Sequence, residues 1–214
     1  MDIIKQCILF SGLEGDDFSY ALEFFNGRRR FFRKGDYIKS PSSPLTSFGL
    51  VISGAVEAGL YDIDGQQMIL ANVAPGETFG ESICFLRRES DIYITAASDS
   101  SILMMNTDRI QLGSSAPDMR DAMLANRFTA MLANRTLSMN DRIQILSKLT
   151  LREKLMTFFT QWAARCGSRE FTVPFDRATM AKYLGTDRSA LSRELSHMRK
   201  DGLISFSKSH FIVL

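Results

Sequence analysis

The sequence predicts an α+β protein in which a double-stranded β-roll, a long helix and a winged helix-turn-helix follow one another along 214 residues. Short apolar stretches separated by turn-forming residues come first, as in all-β rolls and barrels. A long stretch with helical periodicity follows, and the chain ends in two short helices and a hairpin pattern. These three observations divide the chain into predicted domains of residues 1–115 and 147–214, joined by a helix over residues 116–146.

The composition is that of a globular protein, because 45% of the residues are hydrophobic and 23% are charged. No apolar run is long enough to cross a bilayer, and residues 1–10 lack the basic start and cleavage pattern of a signal peptide. We therefore expect a cytoplasmic protein with no membrane partner. Cys7, Cys84 and Cys166 lie far apart, so free thiols in a reducing compartment are expected.

Charge is spread unevenly along the chain, although the net charge is only +2. Residues 144–214 hold 12 Lys and Arg against 6 Asp and Glu, whereas residues 1–143 hold 14 against 18. A basic segment beside an acidic one indicates contact with a polyanion through the basic end. Nucleic-acid binding is therefore expected in the C-terminal third of the chain.

Residues 1–27 are predicted to form short helices. Asp16 or Asp17 can cap an apolar run that begins at Phe18 and ends at Gly27. Helical periodicity stops at this glycine, which therefore marks the start of the β-rich region.

Short strands are predicted between residues 28 and 105. Apolar or alternating stretches at residues 48–52, 55–61 and 67–73 are separated by turn pairs that contain glycine. The pair Asp64-Gly65 favours a tight hairpin, since glycine adopts a positive φ without steric strain. Regular strands of this length predict the roll.

A long helix is predicted from Asp118 to about Leu146, after Pro117. Apolar and small residues recur along it near heptad spacing, and Asn126 and Asn140 fall in the same seam. A buried polar residue in such a seam fixes the register and number of helices. The seam favours a parallel dimer helix, and the alternative is an amphipathic helix that packs on its own roll. The seam consists of Met119, Met123, Asn126, Ala130, Ala133 and Leu137.

The last domain has the pattern of a winged helix-turn-helix. Asp176 can cap a short helix that ends at Gly185, and Asp187 can cap a second helix that ends at Gly202. The second helix has one apolar stripe, and residues 203–214 alternate as a hairpin does. The second helix therefore occupies the position of a recognition helix.

A recognition helix enters the major groove of DNA by its N-terminal half. An arginine placed there can bond the O6 and N7 atoms of guanine together, which discriminates against a wrong base by roughly 1–3 kcal/mol. The alternative is a three-helix core with a solvated basic face. The residues predicted to contact DNA are Thr179, Arg188, Ser189, Ser192, Arg193 and Lys208.

Several motifs, in order along the chain, resemble those of the CRP/FNR family of bacterial transcription regulators. In the roll they are residues 34–38 (KGDYI), 51–56 (VISGAV) and 73–81 (VAPGETFGE). Residues 183–189 (YLGTDRS) and 202–204 (GLI) look like the recognition motif of the family. The resemblance implies a homodimeric regulator in which an effector bound to the sensor roll reorients two winged helices on DNA.

The resemblance also assigns roles to positions and partners. Arg188 and Arg193 match arginines of the family that contact bases or phosphates, and Ser189 stands where many members carry a glutamate. The usual half-site of the family is therefore not expected. The implied partners are double-stranded DNA with a pseudo-palindromic operator, a second copy of the chain, RNA polymerase and a small-molecule effector.

The effector is not expected to be cyclic AMP. Members that bind a cyclic nucleotide hold its ribose with a glycine–glutamate pair, here Gly80-Glu81, and its phosphate with an arginine–serine pair further along. Asp91 and Ile92 occupy these later positions. Aspartate repels a phosphate, and isoleucine offers no hydroxyl. The alternatives are a nucleotide site completed by other arginines and a regulator that needs no effector.

No cofactor or metal is predicted. The roll contains no histidine, since His197 and His210 lie in the C-terminal part, so a histidine-ligated haem is not expected. Three cysteines cannot supply four thiolates to an iron–sulfur cluster. A cupin-like enzyme is rejected because its metal needs histidines inside the roll.

A small organic effector would bind between the roll and the long helix. For each residue assigned to this pocket the alternative is ordinary packing or solvation. The residues assigned by fold position are Phe79, Gly80, Glu81, Ser82, Tyr93, Asn126 and Arg127.

Overall fold

The computed structural model describes residues 3–64, 67–113, 118–173 and 175–214. The glycine of the predicted Asp64-Gly65 turn and the proline before the long helix therefore lie outside the described residues.

The chain forms two compact units, Met1–Ala133 and Asn134–Leu214. The boundary falls within a long helix, α4 Met119–Leu146, whose bounds agree with the predicted ones to within one residue. The predicted division into three parts stays a prediction, because this helix contributes residues to both units.

Unit one is built on the predicted double-stranded β-roll. Its strands are β1 Arg28–Phe32, β2 Tyr37–Lys39, β3 Phe48–Ser53, β4 Val56–Tyr61, β5 Gln67–Val73, β6 Thr78–Phe79, β7 Tyr93–Ala96 and β8 Ser100–Met105. They form two antiparallel sheets with the strand orders β1-β8-β3-β6 and β2-β7-β4-β5. The strand stretches read from the sequence are therefore confirmed.

Short helices connect and cover the two sheets. They are a 3-10 helix Ile3–Gln6, α1 Gly15–Phe24, α2 Glu81–Leu86 and α3 Asp108–Leu112. The prediction that Asp16 or Asp17 caps the helix before Gly27 is wrong, because the N-cap of α1 is Glu14. The chain enters α1 through Gly15, whose φ of 51° suits glycine, so both aspartates lie inside the first turn. There they complement the helix dipole without capping it.

Apolar side chains from both sheets fill the interior of the roll. Phe79 lies against Gly49, and any side chain at position 49 would overlap its ring. Leu45 lies over Gly80 in the same way. Burying each large side chain contributes about 1.5–3 kcal/mol, so this filled interior stabilises the roll. The buried core consists of Leu45, Val51, Val56, Val73, Phe79, Ile94, Ile102 and Met104.

A second apolar core forms where helices cover the roll. Leu124, Phe128 and Met131 of α4 are buried in it. The ring of Phe128 lies 5.6 Å from the ring of Phe48 in β3 and 5.6 Å from that of Phe85 in α2. One face of α4 therefore packs on the roll of the same chain, and α2 is one of the elements that it contacts.

Unit two is a winged helix-turn-helix. Its elements are α5 Leu151–Cys166, β9 Glu170–Thr172, α6 Arg177–Leu184, α7 Arg188–Lys200, β10 Ile204–Ser207 and β11 His210–Val213. The three strands form a sheet with the order β10-β11-β9. Leu155, Phe158 and Phe159 of α5 are buried against this sheet and the two helices.

Local capping fixes the helix boundaries of unit two. Thr150 and Glu153 form a reciprocal capping box at the start of α5. Asp176 and Asp187 cap α6 and α7, and Gly185 ends α6 with a φ of 65°. Asp176, Gly185 and Asp187 therefore act at the predicted positions, whereas α7 ends at Lys200 with Asp201 as its C-cap, one residue before the predicted Gly202, whose φ is 70°.

Candidate nucleic-acid interface

Helix α7 presents a polar face to solvent because its apolar stripe is used for packing. Leu191, Leu195 and Met198 are buried in the core of unit two, where α7 contacts α5 and α6. Arg193 lies on the opposite side of the helix, Arg188 is the first residue of the helix, and both are exposed. The helix therefore projects its cations away from the domain that supports it.

The six residues predicted to contact DNA are all exposed and lie at three places in unit two. Ser192 does not offer a free hydroxyl proton in this conformation, because its Oγ donates to the carbonyl of Arg188 at 2.9 Å. Thr179 lies in α6, Lys208 lies in the turn between β10 and β11, and the first half of α7 carries Arg188, Ser189, Ser192 and Arg193.

Two carboxylates lie among these cations at the helix starts. Asp176 accepts from the Thr179 amide at 2.7 Å, and Asp187 accepts from the amide three residues further on at 2.8 Å. The amide hydrogen bond is the main cause that lowers the pKa of Asp176, and the charge of Arg188 is a minor one. The pKa of Asp187 is also lowered, chiefly by its amide hydrogen bond and to a lesser extent by the charge of Arg193. Both carboxylates are therefore used in capping.

A cleft of about 390 Å³ brings α6, the start of α7 and the wing together. Arg188 and Lys208 line it, and so does Arg177, which the sequence analysis did not select. Arg177 donates to the carbonyl of Lys208 at 2.7 Å, and its guanidinium lies over the rings of Phe206 and Phe211. The contact spans 31 positions in the sequence, so no local pattern indicates it.

Arg152 of α5 holds the recognition helix at two points. Its Nε donates to Glu194 at 2.6 Å, and its Nη1 lies 2.7 Å from Asp201. These carboxylates raise the pKa of the guanidinium. The two bonds lie seven positions apart on and just beyond α7, so they fix its orientation on α5.

The predicted seam of α4 is largely exposed. Met119 is 87% exposed and Leu137 is 61% exposed, whereas Met123 is partly buried and packs against the core of unit one. Leu124 and Phe128, on the other side of the helix, are buried. The part of the seam in unit one borders a shallow groove lined by Met119, Ala122, Met123, Asn126, Arg127 and Ala130.

The residues assigned to an effector pocket face different surroundings in the part of unit one that the structure describes. Phe79 is buried in the roll core, and Glu81 is buried and accepts from the hydroxyl of Thr78. Gly80 caps α2 with a φ of 79°, and Ser82 is exposed on that helix. These four positions follow one another in sequence, but they face different surroundings.

Of the remaining three assigned residues, Tyr93 lies in β7, whereas Asn126 and Arg127 lie in α4 and line the shallow groove there. The ring of Tyr93 packs on those of Tyr37 and Tyr61, on the opposite side of β7 from the core residue Ile94. Arg127 donates to the carbonyl of Ser11 at 2.6 Å and to two neighbouring carbonyls. Arg127 is therefore engaged with the N-terminal segment and is not a solvated side chain.

At the two positions that carry the arginine–serine pair in nucleotide-binding members, both side chains contact other residues of unit one. Ile92 packs against the roll core, and Asp91 accepts from the hydroxyl of Ser42 at 3.0 Å. Lys39 is buried and donates to the carbonyls of Ser90 at 2.6 Å and of Ile92 at 2.7 Å. Desolvation lowers the pKa of this lysine.

No helix in the described part of the chain is long and apolar enough to cross a membrane. Within the same residues, His, Cys, Asp and Glu side chains form no group of three or more that could hold a metal ion.

Comparison with known proteins gives matches to both units. The cyclic nucleotide-binding domain family matches residues 29–111, and the Crp-like helix-turn-helix domain family matches residues 153–214. Electron transport regulator A of Shewanella oneidensis is 25% identical over 194 residues, which cover 87% of this chain and 75% of that protein. The cyclic AMP receptor protein of Thermus thermophilus is 25% identical over 202 residues, which cover 94% and 89%.

The fold has counterparts among solved structures. The crystal structure of the catabolite activator protein from Thermus thermophilus matches with a TM-score of 0.51 at 23% identity, and the match covers 97% of this chain and 93% of that one. This likeness supports the fold, a β-roll followed by a helix and a winged helix-turn-helix.

A β-roll of the cyclic nucleotide-binding type followed by a Crp-like helix-turn-helix defines a class of DNA-binding transcription regulators. The chain belongs to the CRP/FNR family of these regulators. The family consists of regulators and not of enzymes, so the predicted resemblance and the predicted class are both confirmed.

Proposed function

We propose that the protein acts as a homodimer that reads a pseudo-palindromic operator with helix α7 and the β10–β11 wing of each subunit. The observation that carries this proposal is the exposed polar face of α7, which the buried stripe of Leu191, Leu195 and Met198 turns away from the core. A dimer of such helices reads two half-sites that lie about one helical turn of DNA, or a multiple of it, apart.

The positions on this surface suggest a division of roles. Arg188 and Arg193 lie in the half of α7 that enters the major groove, where an arginine fork can bond guanine. Ser189 and Ser192 are short, so they allow close approach of the helix to the base edges. Thr179 and Lys208 flank this face and are proposed to contact phosphates, which give affinity without sequence preference.

Helix α4 is the proposed dimer contact. Met119, Asn126 and Ala130 of its seam are exposed on the face of the helix opposite to the buried Leu124 and Phe128, which favours the dimer over the alternative of a helix covered only by its own roll. The two uses occupy different faces of one helix. Asn126, a polar residue within the seam, would fix the register of the two helices.

The proposed effector is not a cyclic nucleotide. Ile92 fills part of the roll core where a phosphate would need a hydroxyl, and Asp91 places a carboxylate beside it. A cyclic-nucleotide-responsive regulator is the second candidate, because a relative is named cyclic AMP receptor protein and the roll matches a cyclic nucleotide-binding domain. The regulator would act in the cytoplasm, with RNA polymerase as its partner at the promoter.

Sequence discrimination by Arg193→Ala tests the DNA-reading role. The operator is first selected from random DNA with the native protein, and binding to it and to a scrambled duplex is then compared. Loss of one guanine-reading fork should reduce the preference by about 1–3 kcal/mol while the dimer stays intact. Lys208→Ala is the contrasting variant. It should weaken binding to both duplexes equally and make the affinity for DNA depend less steeply on salt concentration. Unchanged discrimination by Arg193→Ala would contradict the proposal.

Thermal unfolding with millimolar cyclic AMP or cyclic GMP separates the two effector candidates. A ligand at about 100 times its dissociation constant adds roughly 2.7 kcal/mol to the native state. We expect no shift with either nucleotide. A clear rise in Tm would favour the second candidate.

A further inference from the structure

A cavity of about 650 Å³ lies in unit one between the end of α2 and the start of α3. Its size is within the range of small-molecule sites. Pro44, Leu45 and Leu112 provide apolar surface, and the buried side chains of Cys84 and Thr107 reach its wall. The cavity is distinct from the roll interior, which the chain fills with its own side chains.

Four charged side chains line this cavity, and two of them already form a pair. Arg87 donates to Asp108 at 2.9 Å and to Gln111 at 2.7 Å. Arg88 and Glu89 form no hydrogen bond or ion pair with a residue that the structure describes. The cavity therefore offers one unpaired cation, one unpaired anion and an apolar wall.

We propose that this cavity binds a free amino acid with an apolar side chain. The carboxylate of such a ligand pairs with Arg88, its ammonium pairs with Glu89, and its side chain lies against Leu45 and Leu112. Charge-assisted hydrogen bonds of both signs favour a zwitterion over an ion of one sign. A ligand with only a negative charge would be repelled by Glu89, and a ligand with only a positive charge would be repelled by Arg88.

The cavity has a short path of contacts to helix α4. The side-chain amide of Gln111 accepts from Arg87 and donates to the carbonyl of Phe85 in α2. The ring of Phe85 packs on Phe128 of α4 at 5.6 Å. A ligand that fixes the position of the end of α2 therefore also affects the packing of Phe85 on α4. Regulation of DNA binding through α4, unlike the binding of the ligand itself, rests on the proposed function.

Thermal unfolding of the full chain tests the binding. With 10 mM L-leucine, L-methionine or L-phenylalanine and a Kd of about 0.1 mM, at least one should raise Tm by roughly 5 °C or more. 4-Methylpentanoate is leucine without its ammonium, and isopentylamine is leucine without its carboxylate; each should give a much smaller rise. No shift with any of the three amino acids would overturn the site. An equal shift with 4-methylpentanoate or isopentylamine would overturn the zwitterion.

Variants separate the site from the rest of the surface. Arg88→Gln should weaken binding at least tenfold, equivalent to 1.4 kcal/mol, and so should Glu89→Gln. Arg28→Gln removes an exposed arginine of β1, and this variant should bind the amino acid as the native chain does. Equal binding by Arg88→Gln and the native chain would overturn the assignment, and the Tm without ligand shows that each variant is folded.

A DNA-binding measurement on the same samples distinguishes this inference from the proposed function. Amino-acid binding by a chain without operator binding would contradict the proposed function alone. Operator binding by a chain that none of the three amino acids stabilises would contradict this inference alone.

Discussion

The guanidinium of Arg177 donates to the main-chain carbonyl of Lys208 at 2.7 Å, which joins the first helix of the helix-turn-helix to the turn of the wing. Lys208 has a φ of 52°, a left-handed conformation that is uncommon for a residue with a side chain. The rings of Phe206 and Phe211 lie 5.2 and 5.1 Å from the guanidinium and hold it in place. The position of the wing therefore depends on a residue outside the wing.

Replacing Arg177 with methionine should loosen the wing while it keeps an apolar stem between the two rings. We expect DNA affinity to fall about tenfold on all sequences, since the phosphate contact proposed for Lys208 loses its fixed position. Unit two should lose roughly 1.5–3 kcal/mol, the value of a hydrogen bond from a charged donor. Fluorescence anisotropy on specific and scrambled duplexes measures the first effect, and urea unfolding measures the second.

Arg199→Met is the matched control for this variant. Arg199 also lies over the ring of Phe206, at 5.0 Å, but it lies near the end of α7. The Arg199→Met variant should leave the wing in place and change the affinity for DNA much less than Arg177→Met does. Similar losses for both variants would contradict a specific role of the bond from Arg177 to Lys208.

The cap of the recognition helix predicts a pH dependence of stability. The pKa of Asp187 lies below its usual 3.8, chiefly because its carboxylate accepts an amide hydrogen bond at the start of α7. A carboxylate with a depressed folded pKa stabilises the protein above the unfolded pKa, and this contribution is lost as the pH falls through the folded value. Asp187→Asn keeps a capping oxygen without the titrating charge.

Urea unfolding at pH 7 and pH 3 measures this contribution. The change in midpoint between the two pH values should be smaller for Asp187→Asn than for the native chain. Asp187→Ala, which removes the cap altogether, should have the lowest midpoint of the three at pH 7. An identical pH response of Asp187→Asn and the native chain would show that the carboxylate does not act through its charge.

The buried ammonium of Lys39 should stabilise the segment between α2 and β7. Its Nζ satisfies the carbonyls of Ser40, Ser90 and Ile92, and it is 3% exposed. Lys39→Met retains the stem but leaves these carbonyls without their charged donor, so unit one should lose roughly 1.5–3 kcal/mol. Hydrogen exchange should show faster amide exchange in residues 87–92.

Lys34→Met, which changes an exposed lysine just before β2, serves as the control for Lys39→Met. It should leave both stability and exchange near the native values. Native-like exchange of residues 87–92 in Lys39→Met would contradict the role of the buried ammonium.

Local signals explain why the helix-turn-helix could be predicted from sequence. Asp176, Gly185 and Asp187 act on backbone groups within three or four residues of themselves, so their positions alone locate both helices. The contact of Arg177 with Lys208 depends on a wing that folds back across the domain. No pattern within a short window contains that information.

The assigned effector pocket stays a prediction, because fold position alone does not fix which way each side chain of a strand points. Successive residues of a strand point to opposite faces, and a β-bulge shifts that alternation. Tyr93 therefore packs on two other tyrosines, while its neighbour Ile94 lies in the core. The cavity between α2 and α3 involves loops that lie far apart in the sequence, so it became visible only in three dimensions.

A charge in the seam of α4 should separate the proposed dimer. Ala130 is exposed on the face opposite to Leu124 and Phe128, so Ala130→Glu should leave the fold of unit one intact. In a parallel pair of helices it places two like charges close together in an apolar contact, which is strongly unfavourable. Light scattering after gel filtration should report a monomer near 24.1 kDa.

The same variant should bind a full operator at least about 100-fold more weakly, because each half-site is then bound independently and the gain from two linked sites is lost. Thr129→Glu is the matched control, since Thr129 is exposed one position away and points about a quarter turn around the helix from the seam. It should remain dimeric and bind as the native chain does. A dimeric Ala130→Glu with native affinity would mean that the subunits meet through another surface, and the exposed seam of α4 would then need a different partner.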